Sequence, residues 1–406
     1  MSNFHKIEIP LALDAFGEEE NNAVLEVLKS GQLTMGQNVD RFEEEFAHYF
    51  KVKNAIMVNS GSSANLLALE VIRRGRRAKT FSNSQLIAVP AVLWPTTLWP
   101  IVQLGYTPLL IDTVPNSLAM DLTQLAEAKH KYKEKLVGAI VIHPLGESLN
   151  LTQLRSLQEN DSMFIIEDNC ESMGAGTSDQ YAGTAGDFGT FSFYFSHHIT
   201  TVEGGMVVTN SDEDANDLRS MRSHGWTRHR KDREYWHQKF PELSPDFMFV
   251  TSGYNFRPME FQAAIGRVQL RKLDSFLEIR QKNAVQIGKA LQRNPKFELI
   301  GFDESQKNRS PRANSWMALP IRALGGQNEA EQARQVLSKS GIASRPLLAG
   351  DFLNQPVSRT FEFETYSELA NSRNLYKTSF MVGNHHGFSS DQVEHLCETL
   401  EKLNLE

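Results

Sequence analysis

Two adjacent histidines, His197 and His198, lie in the middle of the segment "SFYFSHHITTVEGG" (residues 192–205). Imidazole titrates near neutral pH, so a histidine in this segment is suited to moving a proton. Asp168 comes earlier in the chain, near the end of the apolar run "MFIIEDNC". A carboxylate at the end of a buried strand in an α/β sheet faces the ligand crevice, where it could bind a metal, act as a base or pair with a protonated ring nitrogen.

Two further motifs could bind a ligand beside these residues. "NSGSSANLLA" (59–68) places a glycine and serines, among them Ser62 and Ser63, where a strand turns into a helix. Unpaired N–H groups at a helix start favour a phosphate, although a serine N-cap with a turn glycine explains the motif equally well. Trp94, in "VPAVLWPTTLW", follows the next strand and could stack on a flat ligand, although most buried tryptophans only fill a core.

The elements that must position these residues alternate along the chain. Short apolar runs rich in β-branched and aromatic residues alternate with helical patterns up to about Phe256. This alternation predicts an α/β fold, a mostly parallel sheet with helices on both faces. From "PMEFQAAIGRVQLRKLDSFLEIRQKN" onward, the pattern predicts a long helix and then a smaller α+β domain. We therefore expect a large domain over residues 1–265, and a connecting helix with a small C-terminal domain over residues 266–406.

The composition excludes several classes of protein. Among 406 residues, 42 are basic and 49 acidic, and the formal charge of −7 gives no reason to bind nucleic acid or an anionic membrane. Prolines interrupt the most apolar region, residues 86–112, and the first 20 residues lack the pattern of a signal peptide. Cys170 and Cys397 are too few for a disulfide framework or a four-cysteine iron–sulfur cluster. We expect a protein of the reducing cytoplasm.

The motifs follow one another in a recognisable order: the serine turn, the tryptophan after a strand, the aspartate at a strand end and the histidine segment ending in "EGG". With "LTMGQNVDRFEEEFAHYF", "GYNFRPMEFQAAIG" and "GIASRPLLAGDFLNQP", this order resembles the DegT/DnrJ/EryC1/StrS family of sugar aminotransferases, which act on nucleotide-linked keto sugars. The resemblance extends over nearly the whole chain. It implies the aspartate-aminotransferase-like fold, which is fold type I of the pyridoxal phosphate (PLP) enzymes.

The resemblance also implies how the cofactor is bound. Ser62, Ser63 and Ser192 would bind the cofactor phosphate, and Trp94 would stack on the pyridine ring. Asp168 would pair with the ring nitrogen and keep it protonated, so that the ring accepts electrons.

Two further residues complete the set that the resemblance implies. Glu171, at a position where most family members carry glutamine, would also contact the cofactor. Asn255 would reach the phosphate bound by a neighbouring subunit, which makes a homodimer with shared active sites necessary for function.

In the aminotransferases of this family, the histidine segment resembles "SFHPTKNLTTGEGG", and its lysine forms a covalent link to PLP. The flanking residues align that lysine with His197, and no lysine lies between Leu136 and Arg230. Imidazole cannot form this link, so the cofactor would be held non-covalently, as PLP or as pyridoxamine phosphate (PMP). Histidine at this position resembles one branch of the family, the 3-dehydratases that make 3,6-dideoxysugars from nucleotide-linked 4-keto-6-deoxyhexoses.

This branch implies a reaction. The amine of PMP condenses with the C4 ketone of the sugar, His197 removes a proton from the cofactor's methylene, and the C3 hydroxyl leaves. Hydrolysis releases the 4-keto-3,6-dideoxysugar and ammonia. L-Glutamate would regenerate PMP, because two cysteines cannot hold the iron–sulfur cluster of the other regeneration route. The glutamate-dependent type, as in colitose formation for lipopolysaccharide O-antigen from GDP-4-keto-6-deoxymannose, is the better match.

Other polar residues have less specific patterns. Ser196, beside His197, would position the base or bind the substrate, and His198 would be structural. The basic stretch "RSHGWTRHRKDR" (222–233), with Arg228 as its candidate substrate contact, is a solvated loop or a diphosphate-binding loop that reaches into the partner's site. His143 and "NHHG" (384–387) lack the spacing of a zinc site, so we expect no metal and polar residues around the crevice.

Two alternative functions remain open from the sequence. The first is an aminotransferase that adds an amino group to a keto sugar, with His197 moving the proton. The second is an inactive protein of the PLP fold that regulates or binds a partner, because decay of an enzyme would also lose the lysine. Retention of Asp168, Ser192, Asn255 and the serine turn weighs against this second alternative.

Overall fold

The computed structural model describes residues 7–75, 85–158, 163–302 and 312–403. The first six residues of the opening segment and the last two of the predicted helix at 151–160 lie outside these ranges. The strands, in chain order, are β1 (Asn54–Val58), β2 (Leu86–Pro90), β3 (Thr107–Ile111), β4 (Leu136–Ile142), β5 (Phe164–Asp168), β6 (Phe188–Ser192), β7 (Gly205–Thr209), β8 (Phe297–Leu299), β9 (Ala318–Ala323), β10 (Ser344–Pro346), β11 (Glu364–Thr365) and β12 (Ser379–Gly383).

Twelve α-helices accompany these strands in the described ranges. They are α1 (Glu18–Ser30), α2 (Gln37–Phe50), α3 (Gly61–Arg74), α4 (Pro95–Gln103), α5 (Leu122–Tyr132), α6 (Leu151–Ser156), α7 (Asp212–Met221), α8 (Arg233–Lys239), α9 (Glu260–Leu291), α10 (Gln327–Lys339), α11 (Ala370–Thr378) and α12 (Ser390–Glu401). No helix in these ranges combines the length and the apolarity that crossing a membrane requires.

A central sheet of eight strands has the order β1-β7-β6-β5-β4-β2-β3-β11. Its neighbours pair in parallel except β1 with β7 and β6 with β7, which confirms the predicted mostly parallel sheet. Alternate residues of β1 pack on opposite faces of the central sheet. Ile56 and Val58 pack in the cluster that contains α3, while Ala55 and Met57 pack in the cluster that contains α2 and α9. Because helices cover both faces, these strands are buried along their length.

A second sheet, in the order β10-β12-β9-β8, forms the C-terminal part with α10, α12 and the end of α9. The predicted domain boundary between residues 265 and 266 falls inside α9, which is one continuous helix of 32 residues. Gly266 explains how this helix approaches α2 so closely. A Cβ at this position would lie 2.5 Å from the ring of Phe42, which is far inside van der Waals contact.

A buried ion pair joins α2 to the residue that follows α7. Arg222 is 2% exposed, and its Nη1 donates to Glu43 Oε1 at 2.5 Å and to the Met57 carbonyl at 2.6 Å. Glu43 Oε1 also accepts from the Met57 N–H at 2.9 Å. Removing one partner of such a pair leaves the other charge buried and uncompensated.

We expect Glu43→Gln to lower the free energy of unfolding by about 3–5 kcal/mol, because Arg222 would keep its charge without a carboxylate. Urea denaturation followed by circular dichroism measures this change. Glu44→Gln is the matched control on the exposed side of the same helix, and we expect it to change the free energy by less than about 0.5 kcal/mol. Equal effects of the two substitutions would contradict a stabilising role for the pair.

Candidate active site

The predicted phosphate turn and Ser192 meet at the start of α3. The Ser60 side chain caps the helix by accepting the N–H of Ser63 at 3.1 Å. Gly61 lies so close to β6 that a Cβ there would be 2.6 Å from Ser192 Cβ, so this turn requires glycine. Ser62 is exposed and Ser63 half-buried, beside the end of β6. Hydroxyls of two segments therefore surround a helix N-terminus, an arrangement that binds a phosphate.

Asp168, the last residue of β5, is buried, and both of its carboxylate oxygens accept hydrogen bonds from the protein. Its Oδ2 accepts from Asn65 Nδ2 at 2.7 Å and from Thr97 Oγ1 at 2.6 Å. Its Oδ1 accepts from the N–H of Cys170 at 3.1 Å. These hydrogen bonds hold the carboxylate in place at the strand end, where it could pair with a protonated ring nitrogen.

Trp94 is the N-cap residue of α4 and is 49% exposed. It is therefore not a core residue, in contrast to Trp99 in the same helix. The ring of Trp99 packs edge-on against Phe352 and Phe361, at centroid distances of 5.7 and 5.8 Å. Of these two tryptophans, Trp94 has a free face on which a flat ring can stack.

His197 lies in a turn after β6, and its N–H donates to the Tyr194 carbonyl at 3.0 Å. Its Nδ1 lies 3.3 Å from the Ser192 carbonyl oxygen, which can only accept, so Nδ1 carries the proton and Nε2 presents a lone pair. Burial, with a smaller contribution from the positive charge of Arg280, lowers the pKa of His197 to about 4, although the Ser192 carbonyl and the charge of Asp168 act in the opposite direction. The imidazole is thus neutral at pH 7 and able to accept a proton, with Ser196 half-buried beside it.

Glu171 lies at the same edge, three residues after Asp168. Its Oε2 accepts from the N–H of Leu145 at 3.1 Å. Burial raises the pKa of Glu171 to about 8, and the nearby charge of Asp168 acts in the same direction. A carboxyl with this pKa is mostly protonated at pH 7, so it can donate a hydrogen bond as a glutamine amide does.

The other histidines singled out in the sequence lie inside the protein. His198 is fully buried, and its Nε2 lies 3.2 Å from the Ser315 carbonyl in the C-terminal part. His143 is also fully buried, with Nδ1 accepting from the Leu149 N–H and Nε2 donating to Glu167 at 2.9 Å. His143 is therefore a bonded interior residue and does not line the crevice as we predicted.

His385 and His386 form a small aromatic cluster rather than a polar rim. His385 is 1% exposed, and its ring lies 4.1 Å from that of His386. The ring of His386 stacks on Phe276 at a centroid distance of 3.6 Å.

The basic stretch 222–233 is less available than its sequence indicates. Arg222 is bound to Glu43, and Arg230 is buried between Asp217 and Asp232, with distances of 2.7 Å to each. Arg228 is exposed, with its guanidinium 4.9 Å from the ring centroid of Trp226.

Asn255 is exposed and has no hydrogen bond to Ser62, Ser63 or Ser192 within the described parts of this chain. Its backbone neighbour Phe256 contacts the turn, since its carbonyl accepts the N–H of Asn59 at 3.1 Å. Within the described parts of one chain, close contacts and hydrogen bonds join the phosphate turn and α3 to Ser192, Asp168 and His197, and Asn255 is not among the residues so joined.

This arrangement fits a pyridoxal cofactor. Hydroxyl donors and a helix N-terminus lie at one end of the site, where the turn at Gly61 leaves no room for a side chain. A buried carboxylate, Asp168, stands at the carboxyl end of β5, and the exposed ring of Trp94 is available to cover a flat ligand. The histidine that would replace the covalent lysine, His197, is joined to the phosphate end through the Ser192 carbonyl.

Sequence reasoning missed the residues that hold Asp168 in place. Asn65 bonds to Asp168 through its amide nitrogen, and its Oδ1 accepts from Thr190 Oγ1 at 2.5 Å. Asn65 lies one helical turn after Gly61, on the same face of α3, and Thr97 lies in the first turn of α4. A polar residue one turn into an otherwise apolar helix was the available signal.

Burial also lowers the pKa values of several histidines together. They are His197 and His229 (both to about 4), His385 (to about 3), His386 (to about 2) and His198 (well below its usual range). Each is neutral when folded and takes up a proton on unfolding below about pH 6.5, so the unfolded state binds more protons between about pH 4 and 6.5. Stability therefore falls as the pH decreases through this window. Glu171 acts in the opposite direction, losing stability as the pH rises from about 4.5 to 8, but it is one group against several.

We expect the free energy of unfolding to decrease by about 2 kcal/mol or more between pH 6.5 and pH 5.0, since each histidine contributes up to about 1.4 kcal/mol per pH unit. Urea denaturation at a series of pH values measures the slope. His386→Phe keeps the stack on Phe276 and should make the slope shallower, whereas the same substitution at the exposed His130 should not. A pH-independent free energy of unfolding would contradict this account.

A sequence profile of the DegT/DnrJ/EryC1/StrS aminotransferase family matches residues 14–401. The chain is similar to GDP-4-keto-6-deoxy-D-mannose 3-dehydratase of Yersinia pseudotuberculosis, at 35% identity over 401 residues, covering 98% of this chain and 99% of that protein. It is also similar to the solved structure of Escherichia coli GDP-4-keto-6-deoxy-D-mannose-3-dehydratase with bound hydrated PLP, with a TM-score of 0.85, 32% identity, and coverage of 98% of this chain and 100% of that one. A structure of GDP-4-keto-6-deoxymannose-3-dehydratase with a trapped PLP–glutamate geminal diamine has a TM-score of 0.85 and 32% identity, covering 97% of this chain and 100% of that one.

These comparisons confirm two predictions made from the sequence: fold type I of the PLP enzymes, and PLP as the cofactor. The likeness extends over almost the whole length of the chain and of the proteins compared. The chain belongs to the DegT/DnrJ/EryC1/StrS aminotransferase family.

Proposed function

We propose that this protein is a PLP-dependent sugar 3-dehydratase. It removes the C3 hydroxyl of GDP-4-keto-6-deoxymannose, gives the 4-keto-3,6-dideoxysugar, and uses L-glutamate to regenerate PMP. The observation that carries this proposal is His197, a neutral imidazole at the position of the covalent lysine, in a site that keeps the other cofactor contacts. The names of the similar proteins support the same substrate class.

The bound cofactor supplies an electron sink beside the C3–O bond of the sugar. The residues of this chain bind and orient it without a covalent link. Ser62, Ser63 and Ser192 would hold the phosphate at the start of α3, and Trp94 would cover one face of the ring. Asp168 would pair with the ring nitrogen, because its two oxygens are held in place by hydrogen bonds from α3, α4 and its own turn.

His197 moves the proton. Its Nδ1–H is held by the Ser192 carbonyl, so Nε2 is the atom that accepts a proton at the cofactor's methylene carbon. The same atom then carries that proton to the departing C3 hydroxyl. The lowered pKa of His197 favours this second transfer, because an imidazolium in an environment that disfavours its charge gives the proton up readily.

An aminotransferase would move a proton at the same place, and the identity of the product separates the two functions. An inactive regulatory protein would have no use for the hydrogen bonds that orient Asp168 and His197 together. The retained network therefore favours a catalyst over a binding protein.

We also propose a homodimer in which Asn255 and Arg228 contribute to the partner's site, where Arg228 contacts the diphosphate. Both residues are exposed in one chain. The neighbouring surface is apolar, because Phe247 is 70% exposed and its ring stacks on Trp226 at 5.7 Å. A second copy that covered this surface would bury it and bring Asn255 to a site that lacks it.

The cellular setting proposed is the cytoplasm. Cys170 and Cys397 are both free thiols, which fits a reducing compartment. The dehydrated product would be the precursor of colitose in lipopolysaccharide O-antigen.

With PLP, glutamate and GDP-4-keto-6-deoxymannose, we expect a sugar nucleotide that is lighter by one oxygen atom, detected by mass spectrometry. His197→Asn should lower turnover by about 10²–10⁴-fold while PLP remains bound, because the general acid–base catalyst is lost. His130→Asn, at an exposed position on α5, is the control and should keep full turnover. A product with nitrogen in place of the keto oxygen would identify an aminotransferase instead, and an unchanged sugar would contradict both.

Mixing inactive variants tests the shared site. We expect His197→Asn and Asn255→Ala homodimers each to be impaired, and their refolded mixture to regain up to about a quarter of wild-type turnover, because one site of each heterodimer is intact. Turnover assays before and after mixing measure this gain. If His197 and Asn255 acted in the same chain, the mixture would stay as inactive as its components.

A further inference from the structure

Arg280, on α9, is a buried cation whose acceptors are all backbone oxygens. It is 1% exposed, and its Nη1 donates to the carbonyls of Met317, at 2.9 Å, and of Asn384. Its Nη2 lies 3.5 Å from the His197 carbonyl. Within the described ranges, no carboxylate pairs with this guanidinium, and its Nε has no hydrogen-bond partner. Arg222, which is also buried, is instead neutralised by Glu43.

The three carbonyls belong to separate parts of the fold. His197 lies in the loop between β6 and β7, residues 193–204, which we call the catalytic loop. Met317 directly precedes β9, and Asn384 directly follows β12. β9 and β12 are neighbours in the small sheet, where Ala318 pairs with Gly383. One side chain thus joins the catalytic loop to two paired strands of the C-terminal part.

A second contact strengthens the same junction. His198, next to the catalytic residue, bonds through Nε2 to the Ser315 carbonyl at 3.2 Å. Asn384 holds Arg280 from the other side, since its Nδ2 donates to the Arg280 carbonyl at 3.2 Å and to the Trp316 carbonyl at 2.8 Å. The catalytic loop therefore has two adjacent attachments to the segment that precedes β9.

An unpaired buried charge is costly to folding, and an apolar side chain of the same size would pack there more favourably. Burial lowers the pKa of Arg280 to about 9, which is the sign of that cost. Features that oppose stability in this way are expected mainly where function needs them.

We propose that Arg280 is a positioning residue. Its hydrogen bonds fix the backbone of His197 to the small sheet, so that the position of the C-terminal part determines the position of the catalytic imidazole. This inference rests on the proposed function only for the role of His197 as the base. Arg280 acts through that residue and does not touch the substrate.

The charge of Arg280 has a second effect on the same loop. The charged groups that act on His197 are Asp168, from β5, which raises its pKa, and Arg280, from α9, which lowers it. Arg280 also lowers the pKa of His198, His385 and His386, which surround it from the catalytic loop and from the segment after β12. Losing the charge should therefore raise the pKa of His197.

Two variants distinguish the effect of the hydrogen bonds of Arg280 from the effect of its charge. Arg280→Lys keeps the charge but cannot reach three carbonyls with one planar group, and Arg280→Met keeps the volume without charge or donors. Lys282→Met, at an exposed position two residues along the same helix, is the matched control. Circular dichroism and PLP absorbance establish that each variant is folded and holds the cofactor.

We expect both Arg280 variants to lower kcat of the glutamate half-reaction by about 10–100-fold with a much smaller change in KM, because the imidazole is displaced while binding is kept. Only Arg280→Met should move the acidic limb of the pH profile to higher pH. The rate at which diethyl pyrocarbonate modifies His197, read by peptide mass spectrometry, needs no activity and should rise several-fold in both variants as the loop is released.

Wild-type kcat and an unchanged modification rate in either folded variant would overturn the proposal. Loss of the folded state in both variants would also overturn it, since Arg280 would then serve stability alone. A wild-type protein without the glutamate half-reaction would refute the proposed function, and the modification rates would still test the tie between Arg280 and the loop.

Discussion

The site depends on holding one carboxylate in place at the buried end of a strand. Asp168 achieves this because α3, α4 and its own turn each direct a donor at it, from Asn65, Thr97 and the N–H of Cys170. The same two helices begin with the residues that we propose hold the cofactor. α3 begins at the phosphate turn, and α4 is capped by Trp94. The hydrogen bonds of one carboxylate therefore join the strand end to the starts of both helices, where we propose that the phosphate and the ring are bound.

Replacing the covalent lysine by histidine changes what the rest of the site must do. A linked cofactor stays in place between turnovers, whereas an unlinked one is held only by its contacts. The phosphate turn at Gly61, the carboxylate of Asp168 and the exposed ring of Trp94 are among the groups that would then have to hold the cofactor without a covalent link. The imidazole, unlike the lysine, forms no covalent bond to the cofactor. Because this histidine is neutral at pH 7, it can accept a proton at each step of the reaction.

Local patterns in the sequence were sufficient for the mostly parallel sheet, and they placed candidate site residues at the ends of its strands. Strands and helices alternate with clear periods; Asp168 ends a strand, and Ser62, Trp94 and His197 each follow one, at the edge where a parallel sheet brings such residues together. Arg280 could not be found in this way, because an arginine on a long amphipathic helix looks like a surface residue until the C-terminal strands close over it. The stretch 222–233 is a related case. Arg222 is neutralised by Glu43 and Arg230 by Asp217 and Asp232, and a sequence window cannot show such pairing.

β11 has a mechanical consequence. Glu364 and Thr365, from the C-terminal third of the chain, pair in parallel with Leu109 and Leu110 at the edge of the central sheet. The C-terminal part is thus joined to the large sheet at β11 as well as through α9 and Arg280. A hinge rotation of the whole C-terminal part would have to break backbone hydrogen bonds at that edge. We therefore expect a substrate to enter by the movement of surface loops rather than by rotation of the whole C-terminal part.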